Sequence, residues 1–228
     1  MVKAIIFDLF ETLVTEANVK KMSGVQIAEK LKLSVGDYYA EVGKYRECRY
    51  RGAYPDFREV LREITDKLGV PVDEAVIEEL NADRISGKSA CFKEVPGKSI
   101  ALLKSIRSKG IKTVLISNAS VEEIDGFHAS DLPGYFDEVL FSCDVGLIKP
   151  EKEIYLEAAG RIGVSAKECI FIGDGGSDEL NGAAKVGMLP IRADWFTKAY
   201  GQLKPTIYRT YSQVEDLVKE IESDSLDV

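Results

Sequence analysis

The chain has 228 residues, 45% hydrophobic and 30% charged, which suits a soluble globular protein with ample material for a core. Its formal charge of −8 argues against a nucleic-acid or anionic-membrane surface, because phosphate groups reward clustered Lys and Arg. The widely spaced Cys48, Cys91, Cys143 and Cys169 form no CxxC pair, so neither a zinc site nor a disulfide framework is expected and the thiols read as reduced.

The N-terminal stretch MVKAIIFDLF is too short and too acidic for a signal peptide, and no run of roughly eighteen apolar residues occurs, so a cytoplasmic location is expected. The apolar run at residues 3–9 predicts a first strand that delivers Asp8 at its end. From Glu16 to Lys88 only helical patterns follow, among them VQIAEKLKL, DFREVLREITDKLGV and DEAVIEELNADRI, so this interval reads as an all-helical insertion. Val95-Pro96-Gly97 marks the return to mixed structure, since proline and glycine punctuate elements. Beyond it, strand patterns at 112–118, 138–142, 169–174 and 188–193 alternate with helical ones at 98–109, 121–130, 151–162, 178–187 and 212–222. That alternation predicts an α/β fold, a doubly wound parallel sheet with right-handed crossovers. The core is read as residues 1–15 and 89–228, the insertion as residues 16–88.

Chemistry collects where these strands end. Asp8, a carboxylate able to attack an electrophile, follows the first. Ser117-Asn118 closes the second and offers a hydroxyl and an amide to an anion. Gly146-Leu147-Ile148-Lys149-Pro150 sets an ammonium after the third. The fourth runs into Gly173-Asp174-Gly175-Gly176-Ser177-Asp178-Glu179, a glycine-bent acidic loop suited to a hard cation. Each signal is weak alone. Together they fall, in order, at the carboxyl ends of strands of one sheet, where open α/β sheets bind ligands.

In this combination the chain resembles the haloacid dehalogenase superfamily: FDLFETLV, LISN, the Lys of GLIKP and IGDGGSDELNGAAKVGM match its four motifs, over residues 1–15 and about 92–200. The resemblance implies a Rossmann-like core with residues 16–88 as a helical cap. It implies Asp8 as nucleophile, Thr12 orienting its loop, Ser117 and Asn118 holding the transferring group, and Lys149 neutralising charge. It also implies a magnesium ion on Asp8, the Phe10 carbonyl and Asp174, with Asp178 or Glu179 holding a metal water. A Mg-dependent phosphatase acting on a small phosphorylated metabolite is the leading expectation, with a small-molecule substrate rather than nucleic acid or membrane as partner.

Phosphatases of this superfamily usually carry a second Asp two positions after the nucleophile as proton donor; here that position is Phe10. Glu11 is adjacent but should point away from Asp8 on an extended chain, and Glu47 and Asp56 of the insertion are the next candidates. An aromatic at this site is similar to the 2-haloacid dehalogenase branch, whose halide leaves without a proton. Arg46, Arg49 or Arg51 would then hold the substrate carboxylate, although the chain keeps Gly173-Asp174 where that branch is Ser-rich. A catalytically weak ligand- or protein-binding relative is a further alternative. His128 and Trp195 read as packing residues.

Overall fold

The computed structural model describes residues 2–197, 205–223 and 225. Among them β1 (Ala4–Phe7), β2 (Lys112–Ser117), β3 (Glu138–Phe141), β4 (Cys169–Gly173), β5 (Leu189–Ala193) and β6 (Arg209–Tyr211) form one sheet in the order β3-β2-β1-β4-β5-β6. Every pairing is parallel. All the apolar runs are strands, as expected. β6 was not anticipated: it is a three-residue edge strand, RTY, with two residues exposed, so it carries no apolar run.

Alternation along each strand sorts side chains to the two faces. Ile5 and Phe7 of β1, with Leu115, Ile170 and Ile172, join one core; Ala4 and Ile6, with Val114, Ile116 and Phe171, join the other. The first core is covered by α6 (Gly97–Ser108) through Leu102, Leu103 and Ile106, and by the C-terminal helix 214–222 through Leu217 and Ile221. The second is covered by the helices 152–161 and 179–185, through Ile154, Tyr155, Ala158, Leu180 and Ala183. Helices on both faces of a parallel sheet make the architecture doubly wound, as the sequence predicts.

Between β1 and α6 lie α1 (Gly24–Lys30), α2 (Val35–Val42), α3 (Arg46–Tyr50), α4 (Phe57–Lys67) and α5 (Glu74–Ala90). The logic of α4 is local: Asp56 caps its start by accepting from the Arg58 amide, and Phe57, Val60, Leu61 and Ile64 fall on one buried stripe. That stripe packs with Ala28, Leu31, Tyr38, Ile77 and Leu80 into a core separate from those of the sheet. α5 runs past Lys88 to Ala90.

After β2 come a 3-10 turn (Val121–Glu123) and α7 (Asp125–His128), then, after β3, α8 (Ser142–Val145), α9 (Lys152–Arg161), α10 (Glu179–Lys185) and finally α11 (Val214–Glu222). The helix expected over 178–187 starts at Glu179, because Ser177 and Asp178 both take left-handed backbone, with φ of 53°. No helix among the described residues is long and apolar enough to cross a membrane.

Strand order reverses at β1 and β4, and it is outside the carboxyl ends of such a pair that open sheets form a binding crevice. Tyr50 of α3 and Lys88 of α5 reach this crevice, and the fully buried Phe57 ring lies under the guanidinium groups of Arg49 and Arg84 at 4.8 and 4.7 Å. Phe57→Ala is expected to lower unfolding free energy by about 3–5 kcal/mol, measured by urea denaturation.

Candidate active site

The carboxyl ends of β1, β2 and β4 and the loop after β3 converge on one cavity of about 250 Å³. Asp8 leaves β1 still held to the sheet, its amide donating to the Ile172 carbonyl of β4 at 2.9 Å. The chain then turns sharply: Leu13 N–H bonds back to Leu9 O at 2.8 Å, and Glu11 sits at φ 59°. Two distant side chains pin this turn by its carbonyls, Ser99 Oγ on Leu13 O at 2.7 Å and Trp195 Nε1 on Thr12 O at 2.8 Å. The turn returns Thr12 beneath Asp8, so that Thr12 Oγ1 donates to Asp8 Oδ2 at 3.0 Å.

The other Asp8 oxygen belongs to Lys149. Its Nζ lies 2.5 Å from Asp8 Oδ1 and 2.6 Å from Glu179 Oε2, and the lysine is 3% exposed. Asn118 fixes the Lys149 backbone from both sides, Nδ2 donating to its carbonyl at 2.9 Å and Oδ1 accepting from its amide at 2.8 Å. Ser117 Oγ is buried in the cavity wall with no hydrogen-bond partner, a donor left for whatever enters.

Carboxylate oxygens of Asp8, Asp174 and Glu179 lie within 4.8 Å of one another. Burial and the Asp8 charge raise the Asp174 pKa. Burial, then Asp8 and Asp174, push Glu179 up to about 8 against the pull of Lys149. Burial would lower the Lys149 pKa, but Asp8 and Glu179 outweigh it and hold the ammonium well above its ordinary value. One ammonium thus faces a triple carboxylate cluster and leaves it net negative. A hard divalent cation relieves that imbalance with the oxygen ligands it prefers, so the residues present fit a metal.

The structure therefore brings together Asp8, Thr12, Ser117, Asn118, Lys149 and Asp174, with Phe10 on the cavity wall. Between the alternatives Asp178 and Glu179, it is Glu179 that joins the cluster. Asp178 is exposed and accepts instead from Asn181 Nδ2. Asn118 lines the cavity, yet its amide is spent on positioning Lys149. Glu11 departs from the extended-chain expectation: its left-handed turn places it in the cavity wall, where its oxygens accept from Thr15 Oγ1 and Glu16 N.

Arg46, Arg49 and Arg51 do not line the cavity. Arg49 is buried against Ser120 and Glu122, Arg51 bonds Glu47, Glu151 and the Gly146 carbonyl, and Arg46 is exposed. Glu47 and Asp56 likewise serve other purposes, pairing with Arg51 and capping α4. His128 packs edge-on against Phe127 and Phe141. The far wall includes Glu16, Tyr50, Lys88 and Glu123, none of which the sequence singled out. Nothing local marks them, since their shared place depends on how α3 and α5 meet the loops after β1 and β2.

A raised carboxyl pKa means that the folded protein holds a proton that its unfolded chain gives up. The stability from neutral Glu179 is present below its ordinary pKa of 4.5 and lost as pH rises through about 8. A cation bound beside Glu179 favours the ionised carboxylate and so drives this proton off. Calorimetry in buffers of different ionisation enthalpy should show proton release on divalent-cation binding at pH 6–7 that fades above about 8, with affinity rising over the same interval.

A model of the haloacid dehalogenase-like hydrolases matches residues 2–187. The glyceraldehyde 3-phosphate phosphatase of Methanopyrus kandleri is 24% identical over 204 residues, 84% of each chain. Among solved structures, a HAD phosphatase from Thermococcus onnurineus superposes at TM-score 0.61 with 22% identity, covering 96% of this chain and 97% of its own. A 2-haloacid dehalogenase from Pseudomonas syringae superposes at 0.62, also with 22% identity, covering 98% and 99%. The backbone is thus alike for both chemistries, and the choice between them falls to the site residues. With the sheet, the convergent motifs and a match over most of its length, the chain belongs to the haloacid dehalogenase-like hydrolase family.

Proposed function

We propose that this hydrolase is a magnesium-dependent phosphatase of small phosphorylated metabolites, working in the cytoplasm through an aspartyl-phosphate on Asp8. The observation that carries this reading is the cluster of Asp8, Asp174 and Glu179 oxygens around Lys149. Displacing halide from carbon needs no such cation site, whereas bringing a carboxylate to a phosphate dianion needs positive charge nearby. The arginines of α3 and of the residue after it argue the same way, since none reaches the cavity to hold a haloacid carboxylate. The name of the Methanopyrus relative agrees with phosphate chemistry.

In this mechanism Asp8 attacks phosphorus, the bond from phosphorus to the ester oxygen breaks, and water then attacks the Asp8 acyl phosphate to release inorganic phosphate. Thr12 holds Oδ2 so that the carboxylate cannot rotate, Lys149 offsets charge at Oδ1, and Ser117 Oγ donates to a phosphoryl oxygen. Magnesium would be held by Asp8, the Phe10 carbonyl and Asp174, with Glu179 behind them, and would supply charge neutralisation for the phosphoryl group. Residues 16–88 act as a cap that excludes water and contacts the substrate. Phe10 has no proton to give, so the leaving oxygen draws its proton from water and poor leaving groups react slowly.

A panel of phosphate monoesters and 2-haloacids, each with magnesium and with chelator, tests this function. Phosphate release that vanishes with chelator is the expected result; halide release that survives chelator contradicts it. Asp8→Asn should lower turnover by at least about 10³-fold while circular dichroism stays unchanged. Native enzyme should favour aryl and acyl phosphates over alkyl ones, and Phe10→Asp should raise alkyl-phosphate hydrolysis on the order of tenfold or more. Equal native rates for alkyl and aryl esters, with chemistry limiting, would assign the proton to another residue.

A further inference from the structure

The wall opposite Asp8 is built from the inserted helices and the loops that meet them, and its charges are already committed. Apart from Lys149, the cation lining the cavity among the described residues is Lys88 of α5. Its Nζ lies 3.1 Å from carboxylate oxygens of both Glu16 and Glu123 and 5.0 Å from the centre of the Phe10 ring. Glu123 is further tied to Arg84 at 2.6 Å, and Glu16 Oε2 to Lys21 at 3.0 Å. Burial alone would raise the Glu123 pKa, but Lys88 and Arg84 draw it down to about 2, so the bridge stays charged. Glu11 adds a further carboxylate to the same wall.

Resting on the phosphatase reading, we propose that the site takes monoesters whose leaving portion is small, uncharged and hydroxyl-bearing, and rejects those with a second anionic group. The Glu16–Lys88–Glu123 bridge is the determinant. A second carboxylate or phosphate entering this wall meets Glu11, Glu16 and Glu123 and finds the Lys88 ammonium already held between two of them. It loses its hydration without gaining an uncommitted cation, and like charges at such an interface are costly. A hydroxyl group meets the opposite situation. Glu16 Oε1 is buried and lies 3.1 Å from Lys88 Nζ without completing a hydrogen bond, so it keeps acceptor capacity for a substrate hydroxyl. Tyr50 adds a phenol to the same wall. The cavity of about 250 Å³ is below the range of roughly 300–1,000 Å³ typical of ligand pockets, which suits a leaving portion of a few carbons.

The test compares glycerol 3-phosphate with 3-phosphoglycerate, a pair of alkyl phosphates of like length that differ in a terminal hydroxymethyl or carboxylate. With magnesium, native enzyme should show kcat/KM at least about tenfold higher for glycerol 3-phosphate. Glu16→Gln, which releases Lys88 from one of its anions, should narrow that ratio at least about threefold by raising kcat/KM for 3-phosphoglycerate. The rise in melting temperature caused by each compound is recorded alongside, so that discrimination is read as binding even where turnover is slow. Equal kcat/KM or equal melting shifts in native enzyme, a preference for 3-phosphoglycerate, or a folded Glu16→Gln variant with an unchanged ratio would each overturn the proposal and leave the phosphatase reading standing. Chloride release from 2-chloropropionate without phosphate release from either ester would overturn both.

Discussion

A buried ammonium holds the carboxyl edge of this sheet together. Lys149 comes from the loop after β3, Asp8 from β1 and Glu179 from the start of α10, and nothing local brings them into register. Removing either charge partner of a buried ion pair costs about 3–5 kcal/mol, chiefly because the other is left uncompensated. The rest of the edge is arranged to keep that ammonium in place. Asn118 clamps its backbone, Tyr155 Oη donates to the Glu179 carbonyl at 2.8 Å, and Gly175 N–H donates to the remaining Glu179 oxygen at 3.0 Å. Gly173 is required there as well, since a Cβ at that position would lie 2.1 Å from Glu179 Oε1.

In the proposed mechanism the same geometry makes the edge a site rather than a structural ion pair. One lysine cannot neutralise Asp8, Asp174 and Glu179 together, and burial, with that surplus charge added, raises the pKa values of Asp174 and Glu179. Asp8 has both oxygens oriented by donors, and a buried Ser117 hydroxyl stands by without a partner. Such an arrangement would suit an anion and a cation arriving together. The opposite wall is closed electrostatically: Lys88 meets Glu16 and Glu123 in the cavity, and behind them Arg49 and Arg84 meet Glu122 and Glu123 where the inserted helices contact the loop after β2. Charge is unsatisfied on the side that would hold phosphate and satisfied on the side that would hold the leaving group.

The strands and the four loop motifs were legible because both depend on local pattern. Alternating or continuous apolar runs mark β1 to β5, and each chemical group follows its run within a few residues. β6 carried no such pattern, since an exposed edge of three residues gains its pairing from β5 rather than from its own side chains. The choice between Asp178 and Glu179 was hidden in two left-handed residues that rotate one acid outward and the next inward. Glu11 was misjudged for a similar reason, as a turn replaces the extended chain on which the alternation argument depends. Trp195, Asn118 and Lys88 act through partners 183, 31 and 72 residues away in sequence, separations over which periodicity carries no information.

The central step of the proposed mechanism is the transfer of a phosphoryl group to Asp8 during turnover. Rapid acid quench of native enzyme mixed with magnesium and a phosphate monoester, followed by borohydride reduction and peptide mass analysis, reads this directly. An acyl phosphate at Asp8 is reduced to homoserine, so conversion at that position, dependent on substrate and absent with chelator, is the predicted result. An unmodified Asp8 alongside continuing phosphate release, or a carbon adduct at Asp8 formed from a 2-haloacid without metal, would contradict it.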